Sequence, residues 1–454
     1  MKSVDNTTGK TGHVTHLECL NCGEKYSLEK LKSDQGTTLE NVCYDVCMGP
    51  LDVRYDYERI RSILSENVLR RRPDTLYKLK ELLPVNEILA GKDLTYTPLV
   101  RSKEIGDELG IELYYKLDSE TAYTRSFKDR PVALAFNKAL ETGYENVFVA
   151  STGNLAISSA YYAKKYGIAC RVYVPKSLGE VKKDAIRQYL SSPKDLIEYD
   201  GNYDETNVAA ISDCEKANEA EIKELGRRKT FVPNSGFRPY YKEGSKTSGT
   251  EIALQLKEKT DSGINLVYPL GSGALFCSAY KGIGELKKLG LFDNDVRMWG
   301  AQPEDCSPII DAVPSGVIAP LKKAETIAKS IAIGNPGSGY QALSVIKDSC
   351  GGGWKVSEKE IFQRTLDLYY REDIFSQFVG GVTLAGIVRG VARGDLKEGS
   401  VVVANITGTG RNRIEDDLLE YGKRFGLESE AKGIIDETRG YKLKIRDRAL
   451  EIYP

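Results

Sequence analysis

The most informative stretch of this sequence is Tyr123-Thr124-Arg125-Ser126-Phe127-Lys128-Asp129-Arg130. It places a lysine directly after a polar turn and at the predicted start of a helix. Backbone amides and the positive end of the helix dipole lie near such a side chain, and this setting helps to lower the pKa of the amine. A neutral lysine amine can carry out Schiff-base chemistry. The stretch also suits a solvated lysine in a first helical turn, so other motifs are needed to choose between the two interpretations.

Length and composition restrict the class of protein. With 454 residues the chain is too long for one core, and we expect two or three domains. A net charge of -1 gives no indication of a nucleic-acid partner. No apolar run approaches the length of a membrane span, and the N-terminus lacks the apolar core of a signal peptide. The sequence therefore predicts a cytoplasmic protein with reduced cysteines and with neither a nucleic-acid nor a membrane partner.

Histidine is scarce in this sequence. The two histidines, His13 and His16, both lie near the N-terminus. Acid–base chemistry in the main body would therefore run without histidine, which makes lysine a natural candidate for moving protons.

Four of the nine cysteines form two close pairs near the N-terminus. Cys19 and Cys22 are separated by two residues, and Cys43 and Cys47 by three. Two such pairs joined by a polar, turn-rich stretch are typical of a zinc ribbon. Four thiolates leave no open coordination position, so the predicted zinc is structural. Four reduced thiols in a small β module are the alternative.

The main body alternates short apolar runs with amphipathic stretches. Apolar runs at 146–150, 170–175, 266–270 and 401–406 read as strands, and turns and helical patterns follow several of them. This repetition predicts an α/β protein with parallel sheets. Ligands of open parallel sheets bind at the carboxyl ends of the strands, where the notable turns of this sequence lie.

Three of these turns are candidates for ligand binding. Ser151-Thr152-Gly153-Asn154 can bind a carboxylate or an aromatic hydroxyl, although each of its polar residues also suits a plain helix cap. Gly271-Ser272-Gly273-Ala274-Leu275 lets amides approach a phosphate closely, without the spacing of a nucleotide or dinucleotide loop. Thr407-Gly408-Thr409-Gly410 offers a hydroxyl that can hydrogen-bond a pyridine nitrogen. A small phosphate-bearing cofactor fits this set best.

Together these motifs resemble the fold type II family of pyridoxal-phosphate enzymes and, within it, the longer threonine synthases that carry an N-terminal cysteine ribbon. The resemblance runs from about Leu17 to Arg411. Further motifs that carry it are Asp200-Gly201-Asn202-Tyr203-Asp204, Arg238-Pro239-Tyr240-Tyr241-Lys242-Glu243-Gly244-Ser245-Lys246-Thr247, Gly300-Ala301-Gln302, the stretch from Glu325 to Pro336 and Gly380-Gly381-Val382-Thr383.

The resemblance implies an architecture. We expect a two-lobed α/β core with parallel sheets flanked by helices over 96–425, its smaller lobe at about 130–245. A zinc-ribbon-like module over 1–55 and a helical arm over 56–95 would precede this core, and a charged extension over 426–454 would follow it. We further expect a homodimer.

The resemblance also implies how the cofactor, pyridoxal 5'-phosphate, is held. Lys128 would form the Schiff base with the cofactor and later move protons, with Phe127 beside it. Asn154 would hydrogen-bond the phenolic oxygen, and Thr407 would face the pyridine nitrogen. The cofactor phosphate would be bound by Gly271, Ser272, Gly273, Ala274 and Leu275.

The reaction implied by the resemblance converts O-phosphohomoserine and water to threonine and phosphate by β,γ-elimination and replacement, which makes the chain a lyase acting on a small phosphorylated amino acid. A dianionic phosphate requires charged and fixed donors. Without the family resemblance, each lysine or arginine among the candidates is better interpreted as a solvated surface charge. The predicted substrate-binding residues are Lys116, Thr124, Arg125, Ser126, Ser151, Thr152, Asn234, Ser235, Arg238, Lys242 and Lys246.

The lysine loop departs from the family pattern. The family usually reads Asn-Pro-Thr-x-Ser-Phe-Lys, whereas this chain has Ala122-Tyr123-Thr124-Arg125-Ser126-Phe127-Lys128. Arg125 adds a cation, which suits a shorter substrate or an anionic nucleophile. The second hypothesis is therefore β-replacement on a phosphorylated amino acid, as in cysteate synthase, which uses O-phosphoserine and sulfite. A catalytically silent binding homologue is the third, and the presence of Lys128 argues against it.

Overall fold

The computed structural model describes residues 12–35, 42–232, 238–257, 259–260, 262–411 and 414–437. The chain divides into two compact units, each assembled from three separate segments. Unit 1 takes its described residues from Met1–Thr97, Thr121–Asp261 and Gly273–Asn294. Unit 2 takes its described residues from Pro98–Glu120, Ser262–Ser272 and Asp295–Pro454.

The strands follow the apolar runs of the sequence. The four predicted runs form strands, and each observed bound lies within two residues of the predicted one. In chain order the strands are β1 (Val14–Cys19), β2 (Lys25–Tyr26), β3 (Leu51–Tyr55), β4 (Leu99–Arg101), β5 (Glu112–Leu117), β6 (Asn146–Ala150), β7 (Ala169–Pro175), β8 (Leu196–Tyr199), β9 (Thr230–Phe231), β10 (Ile264–Pro269), β11 (Val296–Pro303), β12 (Gly352–Val356) and β13 (Val401–Ile406).

Helices alternate with these strands along most of the chain. They are α1 (Leu28–Gln35), α2 (Tyr57–Ile63), α3 (Glu66–Arg70), α4 (Ile105–Glu108), α5 (Asp129–Thr142), α6 (Asn154–Tyr166), α7 (Glu180–Arg187), α8 (Tyr203–Leu225), α9 (Pro239–Ser245), α10 (Thr247–Leu256), α11 (Ala274–Lys288), α12 (Pro308–Asp311), α13 (Gly339–Asp348), α14 (Glu358–Glu372), α15 (Phe378–Ala392) and α16 (Glu415–Phe425). Residues 428–437 are also helical. Within the described ranges, no helix is both long enough and apolar enough to cross a membrane.

The segment 56–95 differs from the predicted helical arm in its second half. It is helical over α2 and α3, and beyond Arg70 it continues as turns with one 3-10 turn at Lys80–Leu82. Pro73 and Pro84 lie in this part, and a proline within a helix removes a backbone donor and clashes with the preceding turn.

Unit 1 contains two sheets. The larger has the strand order β8-β7-β6-β9 with parallel pairing throughout, and α5 and α6 contribute to the core that covers it. The smaller is antiparallel, has the order β2-β1-β3 and belongs to the cysteine module. Val147 and Val149 of β6 are fully buried in one core with Phe136, which lies in the middle of α5, so α5 belongs to the core of the parallel sheet.

Unit 2 contains a six-stranded sheet of order β12-β11-β10-β13-β5-β4. All its pairs are parallel except β4 with β5. Every residue of β10 and β13 is buried, as expected for central strands covered on both faces. The predicted α/β class with parallel sheets is confirmed.

Candidate active site

Lys128 lies at the start of a helix, as the sequence predicts. It is the residue directly before α5 and already has helical backbone angles, φ -59° and ψ -22°. Its backbone N–H donates to Ser126 Oγ at 3.3 Å. The lysine side chain therefore leaves the chain at a fixed point, between a hydrogen-bonded turn and the first turn of α5.

The turn that precedes Lys128 is organised around the buried carboxylate of Asp129. This carboxylate accepts hydrogen bonds from Thr121 Oγ1 at 2.8 Å, from the N–H and hydroxyl of Thr124 at 2.8 and 2.6 Å, and from Ser158 Oγ of α6 at 2.9 Å. Burial raises the pKa of Asp129, and the donors from Thr124, Thr121 and Ser158 oppose that shift. The hydroxyl of Thr124, a predicted substrate contact, is therefore used within the loop.

The amine of Lys128 is hydrogen-bonded to a tyrosine. Its Nζ donates to the hydroxyl of Tyr241 at 2.6 Å, and it lies 4.5 Å from the centre of the Phe127 ring. Burial lowers the pKa of Lys128 to about 8. About a tenth of the amine is then neutral at pH 7, far more than for an ordinary lysine with a pKa of about 10.4, and the neutral amine is the state that a nucleophilic lysine needs.

Helix α9 carries Tyr241 and three of the predicted substrate cations lie on or beside it. Arg238 precedes its first residue. Lys242 is buried, and desolvation lowers its pKa. Lys246 follows the helix and is also buried; its Nζ forms ion pairs with Glu243 and, at 2.7 Å, with Glu285 of α11. Two further predicted residues, Asn234 and Ser235, lie outside the described part of the chain.

The neighbourhood of Lys246 is a buried ionic network that joins the cysteine module to α9. Glu243 also accepts from Tyr55 of β3 at 2.5 Å and from Lys281 of α11 at 2.6 Å. Lys281 binds Asp52 of β3 at 2.8 Å. The amine of Lys246 is therefore held among acidic groups in this structure, and its substrate role remains a prediction.

Arg125 has an unusual backbone conformation. Its φ of +54° lies in the left-handed region, which residues other than glycine rarely adopt. Its side chain is exposed. Such outliers concentrate at ligand-binding and catalytic sites, so the conformation favours a functional role for this loop.

The turn between β6 and α6 keeps its predicted position in unit 1. Ser151 is buried and its hydroxyl accepts from Gly153 N–H at 3.3 Å, while Thr152 and Asn154 are partly exposed. Asn154 is the first residue of α6. Its side chain is thus located at a helix N-terminus, where an anion or a phenolic oxygen is favoured.

The boundary between the two units falls, along the chain, within the glycine turn after β10. In unit 2 the turn begins with Gly271 and Ser272, and the carbonyl of Ser272 accepts from Ser338 N–H at 2.9 Å. In unit 1 it ends with Gly273 before α11, and Gly273 has φ +84°. Only glycine adopts this angle without strain, and it lets α11 begin abruptly at Ala274, next to Leu275. Helix α11 is 15 residues long, so its N-terminus can bind a phosphate.

Unit 2 contributes Thr407 and Lys116. Thr407 follows β13 and is buried; the turn after it is fixed because Gln377 N–H donates to Gly408 O and Gly410 N–H to Phe375 O. Lys116 lies on β5 and is fully buried.

These residues fit pyridoxal phosphate on structural grounds. Unit 1 holds a lysine of lowered pKa at one helix start and a glycine-led helix N-terminus at another. Tyr241 and Asp129 lie within motifs of the sequence that predict no role for either residue. The run of two tyrosines in an otherwise polar helical segment was the available signal for the first.

The four cysteines of the N-terminal module form a compact cluster. Their Sγ atoms all lie within 4.8 Å of one another, with contacts of 3.5 Å for Cys19–Cys47, 3.6 Å for Cys22–Cys43 and 3.4 Å for Cys22–Cys47. A tetrahedral zinc with Zn–S bonds of about 2.3 Å has S–S separations of about 3.8 Å. The cluster is thus compatible with zinc.

Comparisons with known proteins agree with this description. The family model described as "Pyridoxal-phosphate dependent enzyme" matches residues 92–408. A threonine synthase of Methanosarcina acetivorans is 33% identical over 397 residues, which are 87% of this chain and 91% of that protein. A threonine synthase of Methanocaldococcus jannaschii is 30% identical over 86% of this chain and 91% of that protein.

Solved structures show the same fold. A fungal L-serine ammonia-lyase from Rhizomucor miehei has a TM-score of 0.61 at 21% identity, over 73% of this chain and 99% of that one. The processed form of threonine deaminase isoform 2 from Solanum lycopersicum has a TM-score of 0.60, also at 21% identity, over 72% and 84% of the two chains. At such identities the likeness shows the fold alone.

Proposed function

Because this chain belongs to the pyridoxal-phosphate-dependent enzymes and, within them, to the threonine synthases, we propose that it converts O-phosphohomoserine and water to threonine and phosphate. The observation that carries the proposal is the 33% identity to a threonine synthase over 87% of the chain. The lysine that this chemistry needs is present with a lowered pKa.

Each part of the proposed mechanism rests on a residue of this chain. Pyridoxal phosphate, when bound, supplies an electron sink that stabilises carbanions at the carbons of an amino-acid substrate. Lys128 would hold the cofactor covalently, and its amine would move protons at the reacting carbons of the substrate. Gly271 to Leu275 would hold the cofactor phosphate, Asn154 its phenolic oxygen and Thr407 its pyridine nitrogen. The substrate phosphate is bound by fixed donors among the predicted residues, for which Arg125 and Lys242 are the leading cations in the described chain.

The proposal is tested by assaying phosphate release from the purified protein while following amino-acid products by mass. O-phosphohomoserine is one substrate, and O-phosphoserine with and without sulfite is the other. Threonine formed from O-phosphohomoserine supports the proposal. Turnover of O-phosphoserine alone would instead support the second candidate, β-replacement on a phosphorylated amino acid. The cationic Arg125 in the altered loop favours this candidate. Lack of turnover of both would contradict the two candidates together.

Replacing Arg125 with alanine should raise KM for the phosphorylated substrate by about tenfold or more, because a charge-assisted hydrogen bond to the phosphate is lost. Cofactor affinity, measured by the absorbance of the bound cofactor, should remain unchanged. Arg125→Lys keeps the charge and should recover part of the affinity. Equal losses of cofactor and substrate affinity in Arg125→Ala would remove Arg125 from the substrate side.

We also propose that Cys19, Cys22, Cys43 and Cys47 bind a structural zinc ion, since their Sγ atoms all lie within 4.8 Å of one another, a spacing compatible with tetrahedral zinc. Elemental analysis of the purified protein should find about one zinc ion per chain. Cys22→Ser should lose most of it, whereas Cys350→Ser, which alters an exposed cysteine of unit 2, should keep it. A full zinc content in Cys22→Ser, or none in the unaltered protein, would contradict this assignment.

A further inference from the structure

Tyr241 is placed against Lys128 by an unusually close approach of two helices in unit 1. A Cβ at Gly244 of α9 would lie 2.5 Å from Pro131 Cα and 2.6 Å from Arg130 O, in the first turn of α5. The glycine therefore lets the backbone of α9 pack directly onto the turn that begins after Lys128. Tyr241 lies one helical turn before Gly244 on the same helix, which brings its hydroxyl to 2.6 Å from Lys128 Nζ.

Helix α9 is also held from its other side. The carboxylate of Glu243 is bound by Tyr55 of β3 and by Lys281 of α11, and Lys246 at the end of the helix pairs with Glu243 and Glu285. Glu243 and Lys246 are almost completely buried. A helix of seven residues is thus locked on two faces, and the Tyr241 side chain, 2% exposed, has little freedom to move.

We propose that Tyr241 is a positioning residue for Lys128: its hydroxyl accepts a hydrogen bond from the amine and holds the amine in one orientation whenever it is not bonded to the cofactor. This inference rests on the proposed attachment of the cofactor to Lys128. It assigns to Tyr241 a role at two points, when the protein takes up the cofactor and when the freed amine moves protons during turnover.

The electrostatics of the site give this hydrogen bond a measurable signature. Burial lowers the pKa of Lys128 to about 8 because it disfavours the ammonium form. A phenol oxygen that accepts from the ammonium stabilises that form and opposes the shift. The neighbouring charged group, Asp129, is already bound by Thr121, Thr124 and Ser158. Loss of the Tyr241 hydroxyl should therefore lower the pKa of Lys128 further.

The test measures how fast full-length, cofactor-free protein takes up pyridoxal phosphate as a function of pH, with Tyr241→Phe compared to the unaltered chain. In the unaltered chain the rate should rise with pH to a plateau, with a midpoint near the amine pKa of about 8. In Tyr241→Phe the midpoint should fall by about one pH unit, and the plateau rate should fall about tenfold because the amine is no longer oriented. In turnover, kcat should fall and KM should change little.

A merely structural role of Tyr241 predicts a different result. If the substitution only loosened the site, water would reach Lys128 and the midpoint would rise toward the ordinary lysine pKa of about 10.4. Tyr240→Phe, which removes a hydroxyl from the neighbouring buried position of α9, is the matched control and should leave the midpoint unchanged. A midpoint in Tyr241→Phe that is unchanged or raised would overturn the proposal.

Two further measurements keep the outcome decisive. Borohydride reduction and peptide mapping of the unaltered protein should find the cofactor on Lys128. Attachment to another lysine would overturn both this inference and the proposed mechanism. Attachment to Lys128 together with an unchanged pH midpoint in Tyr241→Phe would overturn this inference alone. If Tyr241→Phe does not fold, Tyr241→Met, which also removes the hydroxyl, takes its place. The midpoint should then fall as in Tyr241→Phe, and an unchanged or raised midpoint would overturn the proposal.

Discussion

Lys128→Ala should reduce turnover by about a thousandfold or more and should abolish covalent attachment of pyridoxal phosphate. The reason is that the same amine is proposed both to hold the cofactor and to move protons, so its removal eliminates two functions in one substitution. The structure places the amine at a fixed point before α5, with a pKa lowered by burial to about 8. The measurements are phosphate release from O-phosphohomoserine and the visible absorbance of the purified protein.

Lys176→Ala is the control for this prediction. Lys176 is an exposed lysine of unit 1 that pairs with Asp200 on the surface. Its loss should change neither phosphate release nor the visible absorbance. Circular dichroism of Lys128→Ala should match that of the unaltered protein, since the lysine is engaged mainly with Tyr241 rather than with the core. Normal turnover by Lys128→Ala would contradict the proposed mechanism at its first step.

Much of the fold could be predicted because its signals are local in sequence. The run Val401–Ile406 is apolar at nearly every position and ends at a glycine-containing turn, which predicts a buried parallel strand followed by a loop. Lys128 was placed at a helix start from the polar turn before it, and α5 begins at the next residue. These predictions depend on residues within one element and need no knowledge of distant contacts.

The partners of the site residues could not be predicted in the same way. Lys128 and Tyr241 are 113 residues apart in the chain, and Lys246 meets Tyr55 and Glu285 through elements on either side of it. The polar composition of this segment does not decide whether Lys246 faces a ligand or a buried carboxylate. Glu243, three residues earlier on the same helix face, is the one signal in the sequence that favours a carboxylate partner.

Glu251→Met should lower the free energy of unfolding of unit 1 by about 3–5 kcal/mol, because it leaves a buried guanidinium without its carboxylate. Arg130, two residues after Lys128, is fully buried and binds Glu251 of α10 through two nitrogens, one of them at 2.7 Å. The same guanidinium donates to Thr97 Oγ1 at 2.9 Å and to Thr247 Oγ1 at 3.2 Å. The measurement is denaturant unfolding followed by fluorescence and circular dichroism.

The double variant Arg130→Met, Glu251→Met tests whether the unpaired charge is the cause. With both charges replaced by apolar side chains of similar length, most of the lost stability should return, because neither partner then needs to be desolvated as an ion. A double variant as unstable as Glu251→Met would instead assign the lost stability to packing.

The ion pair ties the first turn of α5 to α10, while Asp129 ties this turn to the preceding loop and Gly244 packs α9 against it. Three independent contacts thus hold the turn that begins after Lys128. If Glu251→Met loosens this turn, water should reach the Lys128 amine, and the pH midpoint of cofactor uptake should rise. In Tyr241→Phe the same midpoint should fall.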